Sequence, residues 1–384
     1  MKAQMQNSKN DELRVIISGG GTGGHIFPAI SIANALKKLK PHCKILFVGA
    51  ANRMEMEKVP AAGYKIIGLP VAGLKRSLSL SNLKLPFMLY KSIKLASKII
   101  DDFKPQVAIG VGGYASAPLL KAAGNKKIPY IIQEQNSYAG ITNKLLAKKS
   151  AKICVAYPNM ERFFPKDKIL ITGNPVRNGI EPATKLQQKE AQAFFGFKEN
   201  DKVILVVGGS LGAGTLNNSV KKWALDNPES DISIIWQCGK YYFNEVEKFN
   251  NENPRPYIRY FQFIKEMGKA FAASNVVISR AGAGTISELC IAGKATIFVP
   301  SPNVAEDHQK HNAMALSNKG AALIVLDNLA SVKLMDTAIG LINDSNKIEE
   351  LETAIKKMAL HNSDTIIARE IIKLSKSDSK IKGE

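Results

Sequence analysis

The apolar residues of this chain recur in short β-branched runs, and stretches with helical spacing separate one run from the next. The run over 13–17 predicts a buried strand, and the apolar spacing over 26–36 predicts a helix with Pro28 in its first turn. Further strands are predicted over 45–48, 64–68, 106–110, 128–133, 153–156 and 169–171, with helices over 52–62 and in the basic, apolar stretch that ends at 103. This alternation predicts a parallel, doubly wound sheet whose ligands bind at the carboxyl ends of its strands.

The segment from Gly173 to Arg177 interrupts this pattern, which then begins again, and we interpret residues 174–177 as a linker. A polar helix over 185–195 precedes a new opening strand over 203–207 and a second glycine loop over 208–214. Strands follow over 232–236, 257–261, 276–279, 296–299 and 322–325, then helices from about 331 to 374 and a charged tail from 375 that we expect to fray. We therefore predict an α/β fold of two doubly wound, Rossmann-like domains facing a cleft. Residues 1–174 form the first domain, joined by a C-terminal helix over about 363–376, and residues 175–362 form the second.

The composition is that of a soluble globular protein. Hydrophobic residues make up 45% of the 384 residues, and no apolar run is long enough to span a bilayer. The polar residues over 1–11 lack the apolar core of a signal peptide. Four scattered cysteines without a Cys-x-x-Cys pair indicate reduced thiols of a cytoplasmic protein rather than a metal site or a disulfide framework.

The formal net charge of +20 indicates an anionic partner, which could be a nucleic acid, an anionic lipid or a phosphorylated substrate. The alternative is a lysine-rich, solvated surface with no specific partner.

The glycine loop over 18–25 lies between the first predicted strand and the first predicted helix. This arrangement directs backbone N–H groups and a helix N-terminus at a phosphate. The loop matches the dinucleotide fingerprint Gly-x-Gly-x-x-Gly, but Asn52 and its neighbours supply no acidic residue for a ribose after the second strand. No Lys-Ser/Thr pair follows the glycines either, which excludes a nucleoside-triphosphate P-loop. The loop therefore predicts a cradle of pyrophosphate size with His25 at its rim.

A second candidate anion site is the segment over 279–288. We expect a helix to begin near Thr285, with Thr285 as its cap and the N–H groups of Ala283, Gly284 and Thr285 directed at an anion. Glu288, in the first helical turn, either accepts hydrogen bonds from ribose hydroxyls or only complements the helix dipole.

Other polar residues follow predicted strands and suit a sugar diphosphate. Ser210 could donate to a phosphate or cap a helix, and Arg177 could pair with an anion or form a surface ion pair. Gln309 and Asn312 are spaced i, i+3, and their amides suit sugar hydroxyls. No metal site is predicted, because His308 and His311 lack a third ligand and the chain has no Asp-x-Asp motif.

The combined motifs resemble the MurG glycosyltransferases, in order and over essentially the whole chain. The matching motifs are Gly19–His25, Gly112-Gly-Tyr-x-Ser116, Glu134-Gln-Asn136, Gly173-Asn-Pro-Val-Arg177, Gly208-Gly-Ser-x-Gly-Ala213, Phe263-Ile264, Ser279-Arg-Ala-Gly-Ala283, Glu288 and Asp307-His-Gln309 with Asn312. The resemblance implies a GT-B fold and an inverting transfer of GlcNAc from UDP-GlcNAc to the 4-hydroxyl of the MurNAc of lipid I, which forms lipid II for peptidoglycan. No cofactor is implied.

The resemblance also implies partners and a location. The partners are UDP-GlcNAc, undecaprenyl-linked lipid I, the anionic cytoplasmic membrane surface and other cell-wall synthesis proteins, with no nucleic acid. The location is peripheral, at the cytoplasmic face of the bacterial inner membrane.

The resemblance implies a role for each matching residue. The backbone of Ile264 would receive the uracil and Glu288 the ribose, while Asn136 would contact the acetamido group of GlcNAc. The implied contacts to UDP-GlcNAc are Thr22, Gly23, Gly24, Asn136, Arg177, Ser210, Ile264, Ala283, Gly284, Thr285, Glu288, Gln309 and Asn312. The implied acceptor contacts are Gly20, Gly21, Gly112, Gly113 and Tyr114, with Thr22, Gly23 and Gly24 also facing the acceptor diphosphate. One departure is Gln133, where the family usually has a histidine, so that histidine cannot serve as a base here.

An inverting transfer needs a base for the acceptor hydroxyl. His25 is the first candidate, with shaping of the loop as its alternative role, and Glu134 is the second. Two rival functions remain. One is a UDP-GlcNAc 2-epimerase of similar fold, which needs no acceptor. The other is a nucleic-acid-binding protein, which the charge suggests but which would be expected to carry a recognition motif or aromatics among the basic residues.

A membrane-binding segment is predicted between Glu57 and Asp101, a window that contains no acidic residue. It combines eight basic residues with apolar ones, and Lys91, Lys94 and Lys98 fall on one helical face. Such a basic, amphipathic segment is typical of one that lies in the membrane interface. The alternative is a loop and a core helix with solvated lysines.

Overall fold

The computed structural model describes residues 12–71, 85–177 and 179–381. The chain divides into two compact units, Met1–Arg177 with Asn362–Glu384, and Asn178–His361. The division falls three residues after the predicted boundary at 174, and the C-terminal helix belongs to the first unit.

The first unit alternates strands and helices around one parallel sheet. Its elements are β1 (Arg14–Ser18), α1 (Gly23–Leu39), β2 (Lys44–Ala50), α2 (Glu55–Ala61), β3 (Lys65–Leu69), α3 (Leu85–Phe103), β4 (Val107–Gly110), α4 (Ser116–Asn125), β5 (Tyr130–Glu134), α5 (Ile141–Ala147), β6 (Lys152–Val155) and β7 (Ile169–Ile171). The seven strands lie in the order β3-β2-β1-β4-β5-β6-β7. All of their pairings are parallel.

Helices cover both faces of this sheet, which is why its strands read as continuous apolar runs rather than alternating ones. On one face Ile16 and Ile132 pack in a core with residues of α3 and α4. On the other face Ile17 and Ile109 pack with α1 and with Ile367 of the C-terminal helix.

The second unit repeats the architecture with six parallel strands in the order β10-β9-β8-β11-β12-β13. Its elements are α6 (Lys185–Phe194), β8 (Lys202–Val207), α7 (Gly214–Asp226), β9 (Ile232–Gln237), α8 (Phe243–Glu252), β10 (Ile258–Phe261), α9 (Met267–Ala273), β11 (Val276–Ser279), α10 (Ala283–Ala292), β12 (Ala295–Phe298), α11 (His308–Ser317), β13 (Leu323–Ile324), α12 (Ala330–Ile342) and α13 (Ser345–Lys356). The last helix, α14 (Ser363–Ile381), returns to the first unit.

The predicted fold class is confirmed, and every predicted strand overlaps an observed one. Some helix bounds were wrong. The helix predicted over 52–62 begins at Glu55, because Asn52 lies in the left-handed region with φ 61°. The tail expected to fray from 375 continues the helix to Ile381.

None of the helices in the described ranges is long and apolar enough to cross a membrane.

Candidate active site

Both sheets reverse their strand order at a position that carries a glycine loop. In the first unit β1 and β4 are neighbours, although the chain runs from β1 outward to β3 before it returns. In the second unit β8 and β11 are neighbours in the same way. The connections after these strands diverge, so a crevice opens at the carboxyl edge of each sheet, which is where ligands bind in open α/β sheets. The predicted anion loops follow these strands in both units.

The loop after β1 packs directly on the loop after β4. The N–H of Gly20 donates to the carbonyl of Gly112 at 3.3 Å. Gly113 has φ +89°, and a Cβ there would lie 2.3 Å from the carbonyl oxygen of Gly20. A side chain at Gly113 would therefore push the two loops apart.

His25 lies in the first turn of α1, and its Nδ1 atom has two polar contacts. Its Nδ1 lies 3.0 Å from the carbonyl oxygen of Gly20 and 3.4 Å from the hydroxyl of Thr22. Because a carbonyl oxygen can only accept, Nδ1 carries the proton and Nε2 retains the basic lone pair. A Cβ on Gly112 would lie 2.4 Å from Cδ2 of the ring, so a glycine is needed beneath the imidazole.

The backbone N–H groups of Gly23 and Gly24 belong to the first turn of α1 and point toward its N-terminal end. Thr22 is the N-cap residue with extended backbone, and its side chain makes no capping bond. The first N–H groups of a helix have no partner within the helix, so an anion can bind there. Tyr114, which follows the paired glycines after β4, is 50% exposed.

Glu134 is buried, and donors surround its carboxylate. Its Oε1 accepts from the backbone N–H and the side-chain amide of Asn136, at 3.0 and 3.3 Å. Its Oε2 accepts from the N–H of Gly140 and the amide of Asn143, at 3.0 and 2.8 Å. This carboxylate therefore shapes the loop that carries Asn136, whereas the ring of His25 offers a basic nitrogen.

The second unit builds its glycine loop after β8 around Gln237. The side chain of Gln237 donates to the carbonyl of Gly209 at 3.2 Å and accepts from the N–H of Ile264 at 2.9 Å. The predicted uracil site at Ile264 thus has its backbone N–H engaged by a side chain. Ser210 is exposed and does not cap a helix, because α7 begins after Ala213.

The predicted start of the helix after β11 was wrong by two residues. Gly282 is the N-cap, and α10 begins at Ala283, so Thr285 lies within the first turn and is not the cap. Glu288 consequently lies in the second turn, where it is 5% exposed. The first turn still presents the backbone N–H groups from Ala283 to Thr285 at the amino end of the helix.

An ion pair connects three strand ends near this helix. Nη1 of Arg280 lies 2.5 Å from Oδ1 of Asp327 and 3.0 Å from the carbonyl oxygen of Val299. Oδ2 of Asp327 accepts from the hydroxyl of Thr215 in α7, at 3.1 Å. These bonds join the segments that follow β11, β12 and β13 to the first turn of α7.

The side-chain amides of Gln309 and Asn312, which are predicted to contact the sugar hydroxyls, both have partners in the protein. The N–H of Ser301 donates to Oε1 of Gln309 at 2.9 Å. Asn312 is fully buried, with Nδ2 3.5 Å from the carbonyl oxygen of Ala281. Before α11, Glu306 and Asp307 have φ 50° and 52°, which is strained for residues other than glycine.

Arg177 is exposed and is the last residue of the first unit. The residues that sequence reasoning missed are Glu55, Gln237 and Asp327. Glu55 and Gln237 act on the site loops through backbone groups, and Asp327 acts through the side chains of Arg280 and Thr215. No motif marks these three residues.

These features define a class. Two doubly wound parallel sheets, each with a glycine loop where its strand order reverses, are the architecture of the GT-B fold.

The family models match both halves of the chain, the glycosyltransferase family 28 N-terminal domain over residues 15–155 and the glycosyltransferase family 28 C-terminal domain over residues 203–370. A protein from Bacteroides thetaiotaomicron, named UDP-N-acetylglucosamine--N-acetylmuramyl-(pentapeptide) pyrophosphoryl-undecaprenol N-acetylglucosamine transferase, is 54% identical over 372 residues, which cover 96% of this chain and 99% of the relative. The chain belongs to glycosyltransferase family 28 and, within it, to the MurG glycosyltransferases.

Solved structures agree with the family. The crystal structure of Acinetobacter baumannii MurG is similar with a TM-score of 0.74 and 27% identity, over 94% of this chain and 99% of that one. A UDP-GlcNAc 2-epimerase from Neisseria meningitidis has a TM-score of 0.63 at 16% identity, over 94% of this chain and 100% of that one, and shares the fold alone.

Proposed function

We propose that this protein transfers GlcNAc from UDP-GlcNAc to the 4-hydroxyl of the MurNAc of lipid I, which yields lipid II for peptidoglycan. The observation that carries the proposal is the 54% identity to a transferase of that name, which extends over nearly the whole of both chains. The two glycine loops at the strand reversals support it, because both substrates carry a diphosphate.

The donor would bind in the second unit. The first turn of α10 supplies backbone N–H groups and the positive end of a helix dipole to the diphosphate. Glu288 would accept from the ribose hydroxyls, and the backbone at Ile264 would contact the uracil. Because Gln237 engages the N–H of Ile264, the carbonyl group there is the better candidate for the pyrimidine N–H.

His25 would act as the general base. The donor sugar is α-linked and the product β-linked, so a single displacement suffices, and the acceptor hydroxyl loses its proton as attack develops. The Nδ1 contact to Gly20 supports this role, because it keeps the lone pair on Nε2. The departing UDP would be stabilised by the dipole of α10, which is in place before the reaction starts.

We further propose that the first unit docks on the anionic cytoplasmic face of the inner membrane. At the start of α3 the side chains of Phe87 and Tyr90 are 72% and 67% exposed. Lys91, Lys94 and Lys98 are exposed along the same helix. Exposed apolar side chains beside lysines suit reversible binding to an anionic bilayer. Residues 72–84 of the predicted segment lie outside the described residues.

A transfer assay tests the function. The protein is incubated with radiolabelled UDP-GlcNAc and a lipid I analogue, and we expect label in the lipid product. A parallel incubation without acceptor, analysed for the 2-epimer of UDP-GlcNAc, separates the two enzyme classes. Epimer formation without acceptor, and no labelled lipid with it, would overturn the proposal.

A further inference from the structure

Glu55 is a buried carboxylate that contacts the glycine loop after β1. It is the first residue of α2, and it is fully buried. Its Oε2 accepts from the N–H of Gly21 and its Oε1 accepts from the N–H of Ala50, both at 2.9 Å. A buried carboxylate needs such donors, because burial of an unpaired charge is very costly.

The chain makes room for this carboxylate with two glycines. A Cβ on Gly20 would lie 2.2 Å from Oε1 of Glu55, and a Cβ on Gly49 would lie 2.6 Å from its Cγ. The loop after β1 and the end of β2 are thus shaped around the Glu55 side chain.

The bond to Gly21 reaches His25 through a single peptide group. The N–H of Gly21 and the carbonyl of Gly20 belong to the same planar peptide unit, in which they point in opposite directions. Glu55 accepts from the N–H end, and Nδ1 of His25 donates to the carbonyl end at 3.0 Å. The order of groups is therefore carboxylate, peptide and imidazole.

This order has an electrostatic consequence. A carboxylate that accepts from a peptide N–H polarises the peptide and makes its carbonyl a stronger acceptor, since linked hydrogen bonds strengthen one another. A stronger acceptor at Gly20 favours the tautomer with the proton on Nδ1. It also favours the imidazolium that forms when Nε2 takes a proton.

We infer that Glu55 is a positioning residue, which orients His25 and selects its tautomer through the peptide group between Gly20 and Gly21. Glu55 does not touch the substrate and transfers no proton. The inference rests on the proposed function, because it assigns Glu55 to the base of that reaction. It also explains why the N–H of Gly21, which lies in a loop expected to bind an anion, donates instead to the carboxylate of Glu55.

Glu55→Gln tests the inference with a nearly isosteric change. An amide has one acceptor oxygen where the carboxylate has two, so one of the two N–H groups loses its partner. We expect kcat to fall about 10- to 100-fold, by analogy with the loss of a partner that orients a metal-ligating histidine. The KM for UDP-GlcNAc should stay within twofold. The matched control is Glu57→Gln in the same helix, whose carboxylate is exposed and should leave all kinetic constants unchanged.

A spectroscopic readout makes the test independent of turnover. The chain has five histidines, so ¹⁵N-histidine labelling gives an assignable imidazole spectrum, with His25 identified by its loss in His25→Gln. In the parent and in Glu57→Gln the neutral His25 should carry its proton on Nδ1. In Glu55→Gln its signals should move toward a mixture of tautomers, while the other four histidines stay unchanged. Glu55→Asp, which keeps the charge, should lie between the two and serves as the second variant if Glu55→Gln folds poorly.

The outcomes separate this inference from the proposed function. An unchanged His25 tautomer in Glu55→Gln overturns the inference, and so does a kcat within twofold of the parent. If the parent transfers no GlcNAc to a lipid I analogue, the proposed function fails, and the tautomer spectrum still reports whether Glu55 controls His25.

Discussion

The side chain of Gln133 donates a hydrogen bond from Nε2 to Oδ1 of Asn174, at 2.8 Å, and both residues are buried. Asn174 in turn donates to the carbonyl of Gln135 at 3.0 Å. These bonds join the end of β5 to the segment at which the first unit ends. Within the described part of the chain, Oε1 of Gln133 has no hydrogen-bond partner.

Gln133 is where the MurG family usually has a histidine, and an imidazole needs only one N–H to keep the bond to Asn174. We therefore expect Gln133→His to leave activity within about threefold, and to change the free energy of unfolding by less than about 1 kcal/mol. Gln133→Leu removes the buried donor and should destabilise the protein by about 1–3 kcal/mol. Urea unfolding followed by circular dichroism measures both effects, and equal stability of the parent and Gln133→Leu would contradict this role.

Glu288→Ala should weaken the binding of UDP-GlcNAc. Loss of a charged acceptor costs about 1.5–3 kcal/mol per hydrogen bond, which corresponds to about a 10- to 100-fold increase in Kd. Isothermal titration calorimetry measures this, with the exposed Glu349→Ala of α13 as the control. A folded Glu288→Ala variant that binds like the parent would remove Glu288 from the ribose site.

His25→Ala should lower kcat by roughly 10²–10⁴, the usual contribution of a general base, and leave the Kd of UDP-GlcNAc within about twofold. His42→Ala is the control, because His42 is exposed and lies before β2, at the opposite edge of the sheet from the glycine loops. Steady-state kinetics with a lipid I analogue report the effect. A loss smaller than tenfold would transfer the role to Glu134 or to water.

The protein should sediment with anionic vesicles at low salt and be released at high salt, because screening weakens attraction between exposed charges. Combined replacement of Leu78, Leu80, Phe87 and Met88 by serine should reduce vesicle binding and leave the binding of UDP-GlcNAc intact. Val332→Ser, an equally exposed apolar site in α12, is the control and should have no effect. Equal sedimentation with neutral and anionic vesicles would rule out this docking surface.

The native thiols should react slowly. All four cysteines are buried, and burial raises the pKa of Cys154 and Cys290 to about 12 and that of Cys238 to about 11. Burial also raises the pKa of Cys43. A raised pKa disfavours the thiolate, which is the form that reacts. With a pKa of about 11, roughly one Cys238 thiol in a thousand is deprotonated at pH 8. Ellman's reagent should therefore label none of the four rapidly until urea unfolds the protein. Rapid reaction of one equivalent in the native protein would contradict this.

The sequence by itself determined the fold class and the positions of both glycine loops. Strands buried on both faces must be continuous apolar runs. A glycine loop between such a strand and a helix is a local pattern, which can be recognised without knowing any tertiary contact. The resemblance to the MurG glycosyltransferases also came from local motifs, since each motif lies within one strand-to-helix connection.

Only the tertiary structure decided which loops contact one another and which polar groups form hydrogen bonds within the protein. Strand order is a long-range property, so the pairing of β1 with β4, which joins Gly20 to Gly112, had no signal in the local pattern. The roles of Glu55 and Gln237 were hidden for the same reason, because each binds a backbone group that lies 27 or more residues away. The start of α10 at Ala283 rather than Thr285 also depended on the structure, because Gly282 takes the N-cap conformation without a capping side chain.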